Sequence, residues 1–194
     1  MSEHLEQELK FSLAGAAEFA RVLEFLGPAQ AVVEQSNHYF SASAGQASPD
    51  WVLRVRKEDG QFELTLKLGR SQREGYFESI EINCSLQPEQ VDQLLDRQVW
   101  SPELWELPPL ARLRQEFGLD RLVLLGALRN QRHRCPQQGW VAEMDITTFP
   151  CGRVDYELEV ETSQVELVQQ ALQPLAELLT VQTKTKFRRF LEGL

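Results

Sequence analysis

Paired cysteines, long apolar runs and an excess of positive charge are all missing from this 194-residue chain. Its three cysteines are an odd number without a CxxC spacing, so neither a disulfide framework nor a thiolate zinc site is indicated. No segment approaches the roughly 18 apolar residues that span a membrane, and the charged start MSEHLEQELK is unlike a signal peptide. A formal net charge of −9 argues against bulk binding to nucleic acid or an anionic membrane. We therefore expect one cytoplasmic domain over residues 1–194, without nucleic-acid or membrane partners.

What the chain does have is a regular alternation of charged and apolar residues. Alternation predicts strands near residues 3–13, 29–41, 51–58, 61–69, 74–84, 120–134, 139–147 and 153–162. Apolar residues at three- and four-residue spacing predict helices near 14–26, 87–98, 108–116 and 163–181, the last kinked or split at Pro174. Eight strands with a few amphipathic helices indicate an α+β protein.

The polar faces of these strands carry long ionic side chains and few Ser, Thr or Gln. Ionic residues at such alternating positions include Glu6, Glu8, Lys10, Arg54, Arg56, Lys67, Glu78, Arg132, Arg134, Glu143, Asp145, Asp155, Glu157, Glu159 and Glu161. Charged faces often meet water, which would give a meander or a sandwich. Because the apolar faces need covering and the helices can cover them, we expect a closed eight-stranded antiparallel β-barrel with a charged lumen, sheathed by amphipathic helices.

Charges enclosed in such a lumen need partners, because unpaired burial is prohibitive. Clustered carboxylates either protonate or capture a cation, and an all-oxygen donor set favours Mg²⁺ or Mn²⁺ over zinc. Arginine forks and lysine ammonium groups match phosphate oxygens. A complex of a metal ion with a polyphosphate would satisfy both sets of charges.

Five motifs follow one another along the chain. Glu6, Glu8 and Lys10 form an ExExK run, and after it come QSNHYFS, LRVRKEDGQFELTLK, DYELEVE and TKTKFRRF. Together and in this order they resemble the CYTH, or triphosphate tunnel metalloenzyme, family, in particular its bacterial inorganic triphosphatases and thiamine triphosphatases. Two positions depart from the pattern: Ser41 stands where the family often has Asp, and Thr185 replaces the usual Ser.

The resemblance implies three sets of site residues. The metal ligands, direct or through water, would be Glu6, Glu8, Asp145, Glu157 and Glu159. The triphosphate would be held by Lys10, Arg54, Arg56, Lys67, Arg132 and Lys186. Tyr39 and Lys67 would assist proton transfer to or from the leaving group. We add Arg134 as a substrate contact, with an ion pair or a solvated position as the alternative.

These expectations lead to an enzyme, a triphosphatase that removes the terminal phosphate of tripolyphosphate or thiamine triphosphate with Mg²⁺ or Mn²⁺. One alternative is a class IV adenylate cyclase, which makes cyclic AMP and pyrophosphate from ATP. A second alternative is a non-catalytic module that binds polyphosphate or nucleotide. Apolar helix faces not needed to cover the barrel would also support a homodimer.

Overall fold

A computed structural model describes residues 2–43, 48–96 and 100–194, and its strands follow the alternating segments of the sequence. The strands are β1 (Ser2–Leu13), β2 (Ala31–Ser41), β3 (Trp51–Glu58), β4 (Gln61–Arg73), β5 (Tyr76–Leu86), β6 (Val123–Gln137), β7 (Trp140–Thr148), β8 (Val154–Glu161) and β9 (Thr180–Val181). All eight predicted strands are present, with bounds shifted by a few residues. The two-residue strand β9 was not expected.

The helices are α1 (Ala16–Leu26), α2 (Pro88–Leu95), α3 (Pro108–Phe117), α4 (Val165–Leu172) and α5 (Lys186–Leu191), with 3₁₀ turns at Pro102–Glu106 and Gln173–Leu175. The long helix predicted over 163–181 is wrong beyond Leu172, because Pro174 lacks the N–H that would continue it. The last residues of the helix predicted over 87–98 lie outside the described residues. Among the helices described, none combines the length and apolar character needed to cross a membrane.

The strands form one sheet in the order β5-β4-β3-β2-β6-β7-β8-β1-β9, and β5 also pairs with β1. This second pairing joins the two ends of the eight-strand order, so the fold is a closed eight-stranded antiparallel β-barrel with flanking helices. Closure leaves these eight strands without an open edge. The predicted fold class is confirmed, and β9 adds to it by pairing with Phe11 and Ser12 of β1.

Two compact units make up the chain, and each is assembled from three separate segments. Unit one contains Met1–Leu5, Ser36–Arg70 and Ser79–Leu128, and unit two contains Glu6–Gln35, Ser71–Glu78 and Arg129–Leu194. The unit boundaries cut through strands β1, β2, β4, β5 and β6. A single folding domain therefore stays a prediction, as does a charged lumen shared by both units.

Each unit has its own apolar core, formed where helices cover one face of the strands. In unit two, Leu9, Met144 and Leu158 pack with Val22 of α1 and Val168 of α4, and all five are at most 1% exposed. Burying one such side chain contributes about 1.5–3 kcal/mol. Since neighbouring residues of a strand point to opposite faces, the charged residues of these strands lie on the face that the helices do not cover.

The core of unit one is built in the same way from other strands. Leu53, Leu64 and Leu66 of β3 and β4 pack with Leu110 and Leu113 of α3, and all five are fully buried. The alternation of the sequence thus separates apolar from charged side chains in both units. The charged face of each unit supplies the candidate site residues.

Candidate active site

Antiparallel register brings the predicted charged residues of unit two side by side on adjacent strands. Arg132 of β6 lies opposite Asp145 of β7, and Asp145 lies opposite Glu157 of β8. One row along, Glu159 of β8 lies opposite Lys10 of β1. Because alternate residues share a strand face, these rows form a continuous ladder of charged residues, in which Asp145 and Glu157 are neighbours of like charge. The ladder continues into a group that we call the ionic cluster, formed by Lys10, Arg132, Asp145, Glu157, Glu159, Lys186 and Arg189.

Arg132 is held at the centre of the ionic cluster by three carboxylates. Its Nε and Nη2 donate to Oδ1 and Oδ2 of Asp145 at 2.8 and 2.6 Å. Nη2 also donates to Oε2 of Glu159 at 2.6 Å, and Nη1 donates to Glu143. Asp145 is fully buried and Arg132 is 6% exposed. The bidentate fork fixes the guanidinium in one orientation, which arginine achieves and lysine does not.

Lys10, the last residue of the ExExK signature, reaches the same carboxylate from β1. Its Nζ donates to Oε1 of Glu159 at 2.7 Å and lies 3.0 Å from Oε2 of Glu8. Glu8 is half-buried, as is Glu6 two residues earlier on the same strand face. The signature therefore supplies one member of the ionic cluster, Lys10, and Glu8 is in direct contact with it.

The backbone of Lys10 is also fixed on both sides. Its N–H donates to the carbonyl of Gly75 at 2.9 Å, and its carbonyl accepts from the N–H of Gln182 at 3.0 Å. Gly75 has a φ of +79°, and a Cβ at this position would lie 2.7 Å from Cγ1 of Val181. Only glycine combines this conformation with so close an approach. The turn before β5 thus holds the signature lysine in place.

Lys186 enters the ionic cluster from the first residue of α5. Thr185 caps this short helix, since its hydroxyl accepts a backbone N–H of the first turn at 3.1 Å. Lys186 Nζ donates to Oδ2 of Asp145 at 2.6 Å. It lies 3.3 Å from Oε1 of Glu159 and 3.5 Å from Oε2 of Glu157. The lysine from the C-terminal motif therefore contacts three of the predicted metal ligands.

Mutual pairing keeps the charged groups of the ionic cluster ionised. Burial alone would raise the pKa values of Asp145 and Glu159, but the surrounding cations outweigh it and lower both pKa values. Burial would likewise lower the pKa values of Lys10 and Lys186, but the carboxylates around them outweigh it and raise both. At neutral pH these four groups stay charged, and their attraction offsets the cost of burial.

A second, more basic set of residues lies in unit one, on β3 and β4. Arg56 Nε donates to Oδ1 of Asn37 at 3.0 Å, and Lys67 Nζ lies 2.9 Å from Oε2 of Glu81. Arg54 also acts electrostatically on Glu81. All three cations are half-buried. We call Arg54, Arg56 and Lys67 the basic set.

Glu81 is a candidate site residue that the sequence interpretation missed. It is 6% exposed, accepts from Nδ2 of Asn83 at 2.7 Å, and is the carboxylate that Lys67 contacts. Burial would raise its pKa, but Lys67 and Arg54 outweigh that effect and lower it. The prediction placed Glu78 on the polar face instead, and this was wrong: Glu78 accepts from Gln7, which lies on the opposite face of β1 from Glu6 and Glu8.

Three further residues, Tyr39, Arg134 and Glu6, were predicted to belong to the site. Tyr39 is 2% exposed and shares a face of β2 with Asn37. Nε of Arg134 lies 3.6 Å from Oε1 of Glu143, and about a third of the Arg134 side chain is exposed. Glu6 is half-buried on the same face of β1 as Glu8. Their proposed roles stay predictions.

Arg189 is the second residue that the sequence interpretation missed. The residue is only 5% exposed. It pairs with Asp155 at 2.5 Å and with Glu157. The available signal was its spacing of three residues from Lys186, which places both side chains on one face of a helix.

The predicted metal ligands fit a metal in chemistry but are not arranged as a metal site. Carboxylate oxygens suit Mg²⁺ and Mn²⁺. Asp145, Glu157 and Glu159, however, are each paired with lysine or arginine. Throughout the described ranges, no group of three or more His, Cys, Asp or Glu side chains is placed to hold a metal ion.

The fold and the site define a closed β-barrel protein with charged strand faces and a buried ionic cluster. Comparison with known families shows which family this chain belongs to. The profile of the CYTH domain matches residues 4–191, so the chain belongs to the CYTH family. This confirms the resemblance drawn from its motifs. Members of the family are enzymes and are generally metal-dependent. A comparison with curated proteins found no match.

Solved structures share the fold over almost the whole chain. A proposed adenylyl cyclase from Hippeastrum, described as revealing a dominant triphosphatase activity, has a TM-score of 0.86 and 25% identity, covering 97% of this chain and 96% of its own. A proposed adenylate cyclase from Bacillus halodurans has a TM-score of 0.75 and 21% identity, covering 98% and 99%. A Pyrococcus horikoshii protein has a TM-score of 0.59 and 19% identity, covering 97% and 99%.

Proposed function

We propose that this CYTH protein hydrolyses the terminal phosphate of a linear triphosphate, either inorganic tripolyphosphate or thiamine triphosphate, with Mg²⁺ or Mn²⁺. The observation that carries the proposal is the ionic cluster, in which buried cations and buried carboxylates converge from neighbouring strands and from α5. The triphosphatase activity described for the Hippeastrum protein supports it, since that protein is similar along the whole chain.

A metal triphosphate is suited to this cluster because it offers a substitute for each partner. Phosphate oxygens would replace carboxylates around Lys10, Arg132 and Lys186. A divalent cation would replace ammonium groups around Asp145, Glu157 and Glu159, with Glu6 and Glu8 as further ligands. Every buried charge would then exchange one partner for another of the same sign. No charge would be left unpaired, which is the state that costs most.

In the proposed reaction, water attacks the terminal phosphorus in line with the leaving pyrophosphate, so that tripolyphosphate and water give pyrophosphate and orthophosphate. The cations of the ionic cluster and the basic set would neutralise charge on the phosphoryl oxygens. The bound metal would neutralise further charge on the same oxygens. Lys67 and Tyr39 are proposed to handle the proton of the leaving group, and Arg134 is proposed as an outer substrate contact.

A phosphate-release screen tests this proposal. Tripolyphosphate, thiamine triphosphate and ATP would each be incubated with Mg²⁺, with Mn²⁺ and with a chelator. Metal-dependent orthophosphate release supports the triphosphatase. Cyclic AMP and pyrophosphate from ATP would instead establish the cyclase. Tight binding of tripolyphosphate without turnover under every metal condition would establish a binding module.

A matched pair of variants links the activity to the ionic cluster. Glu159→Gln keeps the size of the side chain but removes a charge that contacts Lys10 and Arg132, so activity should fall at least about 100-fold. Glu166→Gln makes the same change on the exposed first turn of α4 and should leave activity unchanged. Equal activity of the two variants would reject the cluster as the active site.

The cytoplasmic location, the lack of nucleic-acid and membrane partners, and a homodimer stay predictions that accompany this proposal. Sedimentation of the purified protein across a concentration series tests the homodimer. A mass that stays at that of one chain would reject it.

A further inference from the structure

We propose that Arg189 is a positioning residue, which fixes the carboxylate of Glu157 and the Lys186 end of α5 for the reaction. The role attributed to Lys186 and Glu157 rests on the proposed function. The contacts that assign the role to Arg189 do not, and they can be tested separately.

The first observation is that Arg189 spans two carboxylates of β8. Its Nη1 donates to Oδ2 of Asp155 at 2.5 Å, and its Nη2 pairs with Oε1 of Glu157. Arg189 is 5% exposed and Glu157 is fully buried. Arginine can hold two acceptors at fixed angles because its guanidinium is planar. A lysine would retain the charge but not this geometry.

A second set of contacts keeps Arg189 itself in one position. Arg153 Nε lies 3.1 Å from Oδ1 of Asp155, and its Nη2 donates to the backbone carbonyl of Arg189 at 3.2 Å. The guanidinium carbons of Arg153 and Arg189 lie 4.3 and 5.7 Å from the centre of the Phe149 ring. Arg153 and Arg189 therefore share two partners, Asp155 and Phe149.

The two oxygens of Glu157 are divided between two residues of α5. Oε1 pairs with Arg189, and Oε2 lies 3.5 Å from Nζ of Lys186. Lys186 and Arg189 are three residues apart and so share a face of the helix. Loss of Arg189 would leave Glu157 free to rotate and would weaken the attachment of Lys186. Groups that orient a ligating carboxylate commonly affect activity as strongly as some ligands do.

The fold does not depend on Arg189 alone. Phe187 and Phe190 also anchor α5, with exposed fractions of 5% and 0%. Variants at Arg189 should therefore remain folded with α5 present. The chain also offers a matched control in Arg188, the preceding residue, whose side chain is 68% exposed and pairs with Glu192 at 3.5 Å.

The experiment compares Arg189→Met, Arg189→Lys and Arg188→Met in the full chain. With tripolyphosphate and Mn²⁺, Arg189→Met should lower kcat/KM on the order of 10-fold to 100-fold and raise the Mn²⁺ concentration needed for half-maximal activity. Arg189→Lys should recover part of this loss, because it restores the charge without the fork. Arg188→Met should match the wild type in both quantities.

A second readout does not depend on activity. Acetylation of Lys186 by an amine-reactive ester, followed by mass spectrometry, reports how firmly its ammonium is held. Lys186 should be acetylated several-fold faster in Arg189→Met than in the wild type or in Arg188→Met. If the wild type hydrolyses no triphosphate, the proposed function fails, while the acetylation comparison still decides the role of Arg189.

Two results would overturn the inference. In the first, Arg189→Met lowers only the melting temperature, with kcat/KM, Mn²⁺ dependence and Lys186 acetylation all as in the wild type, so that Arg189 is a stabilising residue only. In the second, Arg188→Met reproduces the changes of Arg189→Met, so that the effect comes from the net charge of α5 rather than from the contact with Glu157.

Discussion

Charge balance distinguishes the ionic cluster of unit two from the basic set of unit one. In unit two, the buried carboxylates Asp145, Glu157 and Glu159 are each met by cations. In unit one, Arg54, Arg56 and Lys67 are half-buried, and Arg54 and Lys67 act on the buried carboxylate of Glu81. The same alternation of sequence has therefore produced a compensated, buried network in one unit and a less buried, more basic set of residues in the other.

Because of this difference, a charged ligand would displace different groups at the two sets of residues. The groups of the ionic cluster are largely desolvated already, so a ligand must replace charged partners rather than water. The basic set is more exposed, and binding a phosphate there displaces mostly solvent. Substitutions in the ionic cluster should accordingly affect both stability and activity, whereas substitutions in the basic set should affect mainly activity.

The largest expected effect is on stability in unit two. Asp145→Ala removes the partner of Arg132 and Lys186 and leaves buried cations without it, which should lower the free energy of unfolding by about 3–5 kcal/mol. Glu81→Ala in unit one should cost about 1–3 kcal/mol, because Lys67 remains closer to solvent. Urea unfolding followed by circular dichroism measures both. A larger loss for Glu81→Ala would reverse the comparison.

The next effect is on activity in unit one. Arg56→Met removes a proposed phosphate contact and should cost about 2 kcal/mol of transition-state stabilisation, roughly a 30-fold loss of kcat/KM. Its free energy of unfolding should change little. Lys57→Met, at the exposed neighbouring position, is the control and should keep full activity. If Arg56→Met retains wild-type kinetics, the basic set has no part in binding triphosphate.

The pH dependence of stability should show the ionised carboxylates directly. The pKa values of Asp145 and Glu159 are lowered by cations, so their contribution is present above their ordinary pKa values of 3.8 and 4.5. This contribution is lost as the pH falls below that range toward the lowered pKa values of the two groups in the folded protein. Asp145→Asn should flatten this acid limb by up to about 1.4 kcal/mol per pH unit. Unfolding midpoints between pH 3 and pH 7 measure it, with Glu166→Gln as a control that keeps the wild-type slope.

The smallest effect is expected for an exposed ion pair outside both sets. In α3, Nε of Arg112 lies 2.5 Å from Oε1 of Glu116, but about a third of each side chain is exposed. Glu116→Ala should change the free energy of unfolding by less than about 0.5 kcal/mol, because water competes for both charges. A loss comparable to that of Asp145→Ala would show that burial does not explain the difference between the pairs.

Much of the fold could be predicted from the sequence because its strands alternate so regularly. All eight barrel strands were identified, and Pro174 was recognised as a break in the last long helix. The ExExK signature and the DYELEVE motif led to the residues that meet in unit two. The errors lie where alternation is ambiguous: in β5, carboxylates occur at both 78 and 81, and the strand phase was assigned from the wrong one. Strand β9 was missed because two residues are too short to show a period.

Taken alone, the sequence determined which side chains share a strand face, since that depends only on local backbone geometry. It also determined the charge types available for a metal and a phosphate. Only the tertiary structure decided which charges meet: that Arg132 bridges Asp145 and Glu159, that Lys67 pairs with Glu81, and that Arg189 is buried against Glu157. These contacts depend on strand register and on the docking of α5, which join residues far apart in the chain.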